Sequence, residues 1–168
     1  MDKETKDSAF KSLYLQHYKE LERYCRAMFA DEELAKDLLS ETVSRAYQNF
    51  ERIKDISSFK AFVFGICRNV LRKQLRDKKH FEHLESAEHI AAEMPQDRSE
   101  IDRLYRAIAK LNDMQREVII LFELTGFKLH EIADMMNIPV NTVKTHLVRG
   151  REKLRLMLSQ ENISTPKT

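Results

Sequence analysis

Turn-forming residues are scarce in this chain, which holds 3 glycines and 3 prolines among 168 residues. A β-sandwich or a β-barrel needs many tight turns, and glycine and proline supply most of them. The same scarcity leaves no glycine-rich loop that could cradle the phosphates of a nucleotide, which excludes the common nucleotide-binding enzymes. We therefore predict an all-α protein.

The longest apolar runs and the two cysteines indicate the compartment. Phe62–Cys67 and Val118–Phe122 are far shorter than the about 20 residues that cross a bilayer. The polar start of the chain does not resemble a signal peptide. Cys25 and Cys67 form no C-x-x-C pair and suit the free thiols of a reducing compartment. These features predict a cytoplasmic protein without membrane insertion, whose thiols belong to the core; redox sensing is the alternative for the thiols.

Charge divides the chain into two basic stretches with an acidic stretch between them. Residues 59–79 carry 7 basic and 1 acidic side chains (+6), residues 80–104 carry 2 and 7 (−5), and residues 128–158 carry 6 and 3 (+3). Helical periodicity weakens in the acidic stretch, where Pro95 also interrupts it. We predict two small helical domains joined by a flexible acidic linker: an N-terminal helical bundle over 1–79, the linker over 80–99, a C-terminal helix-turn-helix domain over 100–160 and a tail over 161–168.

Residues 128–158 have the pattern of a helix-turn-helix. Apolar side chains recur at i, i+3, i+4 and i+7 from Leu129, which predicts a short helix with one apolar side. Asn137 tolerates a left-handed turn, and Pro139 suits the first turn of a new helix. The helix that follows keeps its apolar residues on one side and leaves a polar stripe on the opposite side.

The polar stripe of this second helix predicts contacts with DNA. In a helix-turn-helix the second helix lies in the major groove and presents its N-terminal residues to base edges. Asn and Arg pair with adenine and guanine in two-point contacts, while Val and the Thr methyl contact thymine. The predicted DNA-binding residues are Asn141, Thr142, Lys144, Thr145, His146, Val148, Arg149 and Arg151, of which Arg151 is assigned to phosphates. The alternative is an ordinary helical hairpin with a solvated basic face.

Residues 35–50, 58–76 and 111–155 together resemble the extracytoplasmic-function (ECF) sigma factors of bacterial RNA polymerase, in the order of that family. The resemblance implies an alternative sigma factor that binds the clamp and flap regions of core RNA polymerase and directs initiation at a subset of promoters. It implies that the helix-turn-helix reads the minus-thirty-five element, and that an anti-sigma factor is the usual control. Gly150 departs from the family, in which Ala is common there; glycine inside a helix costs roughly 1 kcal/mol.

The resemblance also implies roles within the first domain. Four residues would dock on the polymerase clamp: Asp37, Leu38, Ser40 and Glu41. Seven residues would recognise and open the minus-ten element: Phe59, Phe62, Phe64, Asn69, Arg72, Lys73 and Arg76. Rings beside cations can stack the bases of an opened strand while the cations hold its backbone. For each phenylalanine, simple packing in the core is the alternative. The turn at 53–58 would capture a flipped base.

The acidic linker is hypothesised to thread a basic channel of the polymerase in imitation of nucleic acid. The residues that would do so are Glu82, Glu85, Glu88 and Glu93.

Two other functions fit parts of the sequence. A stand-alone helix-turn-helix transcriptional regulator would bind duplex DNA tightly without polymerase. A metal-dependent enzyme could use the histidines, of which His80, His83 and His89 cluster in the linker. No H-E-x-x-H motif or carboxylate-backed spacing accompanies them. The sequence therefore favours an initiation factor that is not an enzyme and has neither metal nor cofactor.

Overall fold

The computed structural model describes residues 2–84 and 99–163, with side chains for 2–78 and 99–160. Its α-helices are α1 (Lys3–Met28), α2 (Glu32–Gln48), α3 (Phe59–Leu84), α4 (Glu100–Ala109), α5 (Asp113–Ile119), α6 (Leu129–Met136) and α7 (Val140–Ile163). Two 3₁₀ turns, Phe50–Arg52 and Ile56–Ser58, precede α3, and a π-helical turn, Ile120–Leu124, extends α5. The described residues contain no strand, so the predicted all-α fold is confirmed. None of the described helices is long and apolar enough to cross a membrane.

The described residues form two compact units. The first comprises 2–25 and 31–84, and the second comprises 26–30 and 99–163. Each unit is smaller than about 100 residues, so each has a small core in which single side chains matter.

Helix α3 is longer than the sequence pattern indicates. The N-terminal bundle was predicted to end at residue 79, but α3 continues to Leu84. The residues in between include good helix formers, which allow the helix to continue. The remainder of the predicted linker, 85–98, and the side chains hypothesised to enter a polymerase channel lie outside the described residues. Helix α4 follows, capped by Ser99, whose Oγ accepts a hydrogen bond from the N–H of Asp102 at 3.2 Å.

The core of the first unit lies between α1, α2 and α3. Leu21, Tyr24, Leu38, Val63 and Phe64 are each 2% exposed or less. The rings of Tyr24 and Phe64 meet edge to face, with centroids 5.6 Å apart. Each such side chain contributes about 1.5–3 kcal/mol on burial, and together they fix the orientation of α3.

The second unit packs α5 and α6 against α7. Ile108, Ile119, Ile132 and Val143 are each 2% exposed or less. The close packing of α5 on α7 depends on Gly150, which is buried in α7. This packing determines which side of α7 faces outward.

Three chain reversals shape the second unit, and the one predicted from the sequence, at Asn137, is confirmed. Asn112 caps α5, with its Oδ1 accepting the N–H of Gln115 at 2.9 Å. Gly126 ends the π-helical turn with φ +72°, and Asn137 ends α6 in the left-handed region with φ 53°. Gly and Asn are the residues that adopt this region at least cost. These reversals set the position of α6 and of the start of α7.

Candidate nucleic-acid interface

Helices α6 and α7 have the helix-turn-helix arrangement. At the start of α6 the N–H of Lys128 donates to Oε2 of Glu131 at 2.7 Å. Helix α7 begins after Pro139, whose carbonyl accepts the N–H of Val143 at 3.1 Å. Both helix starts are therefore fixed by local hydrogen bonds, and the buried side of α7 leaves the opposite side outward.

The outward face of α7 carries most of the predicted DNA contacts. Its exposed members are Asn141, Lys144, Thr145, Val148, Arg149 and Arg151. Val148 is 62% exposed, which is unusual for an aliphatic side chain and suits contact with a thymine methyl. The hydroxyl of Thr145 donates to the carbonyl of Asn141 at 2.9 Å, so Thr145 offers a methyl group and an acceptor. Polar and apolar groups for base edges are thus present on one surface.

Two of the predicted contacts, Thr142 and His146, are only half-exposed. His146 lies about 160° around the helix from Val148. Its Nδ1 is buried and has no hydrogen-bond partner within the described part of the chain. His146 therefore lies away from the outward face, and we remove it from the proposed base contacts.

Arg151 is tied to an acidic residue that the sequence did not reveal. Its Nε lies 2.6 Å and its Nη2 2.5 Å from Oε1 of Glu123, in the π-helical turn. Its Cζ lies 5.2 Å from the centroid of the Phe122 ring, a cation–π contact. The guanidinium is thereby held toward α5.

The basic face of α3 brings four predicted residues together. Asn69, Arg72, Lys73 and Arg76 are all exposed, and they follow one another at i, i+3, i+4 and i+7. This spacing places them on one side of the helix. The opposite side is in the core, where Val70 and Leu71 are 2% and 3% exposed. Three cations and an amide in a row form a surface that suits a nucleic-acid backbone.

The three predicted aromatic contacts differ in exposure. Phe59 and Phe64 are 1% and 0% exposed, so they pack in the core and offer no ring to a base. This corrects the stacking role expected for both. Phe62 is half-exposed, and its ring centroid lies 6.3 Å from that of Phe59. Phe62 is the remaining candidate among the three for stacking.

The turn before α3 is held by a carboxylate. Asp55 accepts hydrogen bonds from the N–H of Ser57 at 2.9 Å and from its hydroxyl at 2.6 Å. These two bonds lower the pKa of Asp55 below its usual value, so the carboxylate stays ionised. Ile56, beside it, is 66% exposed. The turn thus exposes the apolar side chain of Ile56, and the hydrogen bonds between Asp55 and Ser57 stabilise its backbone.

The predicted clamp-binding residues also separate by exposure. Asp37 and Ser40 are exposed on α2, and Glu41 is half-exposed. Glu41 forms an ion pair with Arg45, with 2.5 Å between Oε1 and Nε. Leu38 is fully buried, so it anchors α2 to the core instead of meeting a partner. This corrects the docking role expected for Leu38.

No group of His, Cys, Asp and Glu able to hold a metal ion exists among the described residues. The histidines that cluster in the predicted linker have no described side chains.

Comparisons with known proteins match both halves of the chain. Residues 13–81 match the sigma-70 region 2 family, and residues 101–154 match the sigma-70 region 4 family. The ECF RNA polymerase sigma factor SigW of Bacillus subtilis is 31% identical over 150 residues, which cover 80% of each chain. SigM of the same organism is 27% identical over 156 residues, covering 88% of this chain and 94% of SigM.

Two solved structures share the fold. The sigma factor RpoE of Bartonella quintana, in complex with the anti-sigma factor NepR, superimposes with a TM-score of 0.78 and 24% identity over 89% of this chain and 96% of RpoE. CnrH, in complex with the cytosolic domain of CnrY, superimposes with a TM-score of 0.68 and 24% identity, covering 92% and 90%.

Proposed function

Since this chain belongs to the ECF sigma factors, we propose that its two units act on two promoter elements while it is bound to core RNA polymerase. It is an alternative sigma factor, not an enzyme, and it directs promoter-specific initiation of transcription. The observation that carries the proposal is the presence of region 2 and region 4 in the family's order. A stand-alone helix-turn-helix regulator has no need of region 2, and that alternative is less supported.

The second unit would read the minus-thirty-five element with α7. Asn141, Lys144, Thr145, Val148 and Arg149 lie on the outward face and supply donors, acceptors and a methyl-sized contact. A good two-point contact distinguishes bases by about 1–3 kcal/mol. A few such contacts, added to phosphate contacts, are enough to select a promoter subset.

The first unit would hold the minus-ten element with α3. Arg72, Lys73 and Arg76 would contact the backbone, and Phe62 would stack on a base of the opened strand. Stacking contributes about 1–3 kcal/mol per base, which is comparable with the few kcal/mol that extruding one base costs. The protein could therefore trap an opened strand without a fuel of its own.

Helix α2 would dock on the polymerase clamp through its exposed polar residues. Asp37 and Ser40 are exposed, while Glu41 forms an ion pair with Arg45. A cation of the partner could replace Arg45 beside the Glu41 carboxylate at a small cost in free energy, because exposed ion pairs are weak.

Control by an anti-sigma factor is part of the proposal. RpoE of Bartonella quintana is described in complex with the anti-sigma factor NepR, and its fold is the fold of this chain. Such a partner would cover the surfaces that otherwise meet polymerase. The proposed location is the cytoplasm, where polymerase and DNA are found.

The test is run-off transcription with the full chain and core RNA polymerase over a library of genomic fragments. We expect discrete start sites that require the chain, each preceded by two shared sequence elements. Tight sequence-specific binding of duplex DNA by the chain alone, without association with core polymerase, would favour the stand-alone regulator instead.

Paired variants then test the proposed surfaces. Lys73→Ala on α3 should reduce open-complex formation, whereas Lys19→Ala removes an equal charge from an exposed position on α1 and should leave it unchanged. Equal losses in the two variants would mean that net charge, and not the α3 face, supports opening.

A further inference from the structure

One cation on α7 is already engaged within the protein. The side chains of Lys144, Arg149, Lys153 and Arg155 have no acidic partner among the described residues, whereas Arg151 forms its ion pair with Glu123. The Arg151 side chain is 50% exposed and that of Glu123 is 41% exposed. Both groups can therefore be reached by solvent and by a DNA phosphate.

Arg151 lies at the edge of the outward face of α7, beside Lys144. It is seven residues from Lys144, and such residues lie only about 20° apart around a helix. The arginine side chain is long, so a change of rotamer moves its guanidinium from the α5 side to the DNA side. Arg151 thus has two alternative anionic partners, the Glu123 carboxylate and a phosphate.

We propose that Glu123 is a positioning residue that holds Arg151 away from DNA until α7 docks on its correct element, and so weakens binding to incorrect sequences. Glu123 reaches Arg151 because the π-helical turn carries it at the end of α5, 28 residues away in sequence. The Phe122 ring supports the guanidinium in this position. The inference rests on the proposed function, since it requires α7 to lie against promoter DNA.

The physical basis is a competition between partners. When base contacts bring α7 deep into the groove, a phosphate comes within reach of Arg151 and replaces Glu123. On a wrong sequence α7 stays more distant, and Arg151 keeps its carboxylate partner. An exposed ion pair contributes little to folding, so breaking it on the correct element is inexpensive. Glu123 therefore reduces the affinity for wrong DNA more than the affinity for the promoter.

The test uses the holoenzyme and two promoter fragments that differ only in an intact or a scrambled minus-thirty-five element. In Glu123→Gln, Arg151 is free to meet a phosphate on either fragment. We expect tighter binding to the scrambled fragment, by roughly 3- to 10-fold, and a slope of log K against log salt that is steeper by about 0.9, the value for one added phosphate contact. Binding to the intact fragment should change less.

A double-mutant cycle separates this effect from a change in net charge. In an Arg151→Gln background, Glu123→Gln should have no effect on the scrambled fragment, because no cation remains to be released. Asp134→Asn removes the same charge from an exposed position on α6 and should not reproduce the steeper slope. An equal effect of Glu123→Gln in both backgrounds would overturn the inference.

Arg151→Gln alone gives an independent test. It should weaken binding to the intact fragment and leave binding to the scrambled fragment unchanged, because there Arg151 is engaged by Glu123. Equal weakening on both fragments would also overturn the inference. If the wild-type holoenzyme initiates at neither fragment, the proposed function itself fails; if it initiates normally and the variants do not differ, only the role of Glu123 fails.

Discussion

Gly150 of α7 lies so close to Ile119 of α5 that a Cβ atom at position 150 would stand 2.8 Å from Cγ1 and 3.2 Å from Cδ1 of Ile119. Carbon atoms that are not bonded prefer separations of about 3.5–4.0 Å. Helix α7 therefore has glycine where the resemblance to the family leads one to expect alanine. Gly150 lowers the helix propensity of α7, and in return its missing side chain allows α7 to pack closely on α5.

Gly150→Ala should destabilise the protein. Overpacking of this kind costs about 1–3 kcal/mol, and the gain in helix propensity offsets about 1 kcal/mol of that. We expect a net decrease of roughly 1 kcal/mol in the free energy of unfolding, measured by urea denaturation followed by circular dichroism. Gly65→Ala in α3 is the control, because a Cβ at position 65 meets nothing within 4 Å. It should be stabilising, and equal responses of the two variants would contradict the packing argument.

Phe62→Leu should slow promoter opening without unfolding the first unit. The leucine keeps an apolar side chain at this half-exposed position and loses only the ring that would stack. Loss of about 1–3 kcal/mol of stacking corresponds to roughly a 5- to 150-fold decrease in open complex, measured by permanganate reactivity of the minus-ten thymines. A template with a pre-formed bubble should restore transcription. If the template with a pre-formed bubble does not restore transcription, Phe62 acts at a step other than promoter opening.

The matched variant is Phe64→Ala. Phe64 is 0% exposed, so its truncation should cost about 3–5 kcal/mol of folding stability. The bubble template should give it no selective rescue.

The fold was largely predictable because its helices follow local rules. The apolar period from Leu129 and the left-handed Asn137 depend only on neighbouring residues, and both predictions are confirmed. The end of α3 was not predictable in the same way. Good helix formers allow α3 to continue past residue 79, but no apolar period in the sequence marks where the helix stops.

The candidate site was less predictable, because exposure depends on how helices pack. The helical period of α7 correctly placed Val148 and Lys144 on the outward face. The burial of Phe59 and Leu38 depends on the side of α3 and α2 that meets the core, which the sequence alone did not specify. The pair of Glu123 with Arg151 joins residues far apart in sequence across a π-helical turn, and no periodic pattern indicates it.

Arg116→Met should destabilise the second unit. The Arg116 Nη2 donates to the carbonyls of Ala109 and Leu111 at 2.7 and 2.9 Å, at the C-terminal end of α4. Hydrogen bonds to a charged group contribute about 1.5–3 kcal/mol, so we expect a loss of about 2 kcal/mol in the free energy of unfolding. Arg116→Lys should recover only part of it, because lysine has no counterpart of the Arg116 Nε, which donates to the carbonyl of Ile108 at 3.4 Å. Full recovery by lysine would show that charge alone is sufficient.

Alkylation of Cys25 should be slow in the folded protein. Its Sγ lies 3.8 Å from that of Cys67, and both thiols are buried. The hydrogen bond with Cys67, and then burial, raise the pKa of Cys25 above its usual 9.0. The thiolate is the reactive form, and access to it requires local opening. Iodoacetamide at pH 8 should therefore react with the native chain at roughly one hundredth, or less, of its rate with the chain in urea. Rapid native alkylation would instead support a redox-sensing thiol.

The raised pKa of Cys25 also predicts how stability changes with pH. Above pH 9 the unfolded chain loses the thiol proton that the folded chain keeps, so the unfolded state binds fewer protons and stability falls as pH rises. One such group should lower the free energy of unfolding by about 1.4 kcal/mol between pH 7 and pH 10. Tyr14, whose pKa burial raises from 10.0 to about 12, acts in the same direction at higher pH. The variant Cys25→Ala separates the contribution of Cys25 from that of Tyr14. It should remove the decline in stability that begins near pH 9 and retain the decline above pH 10. If the decline near pH 9 is unaltered in Cys25→Ala, the thiol is not its source.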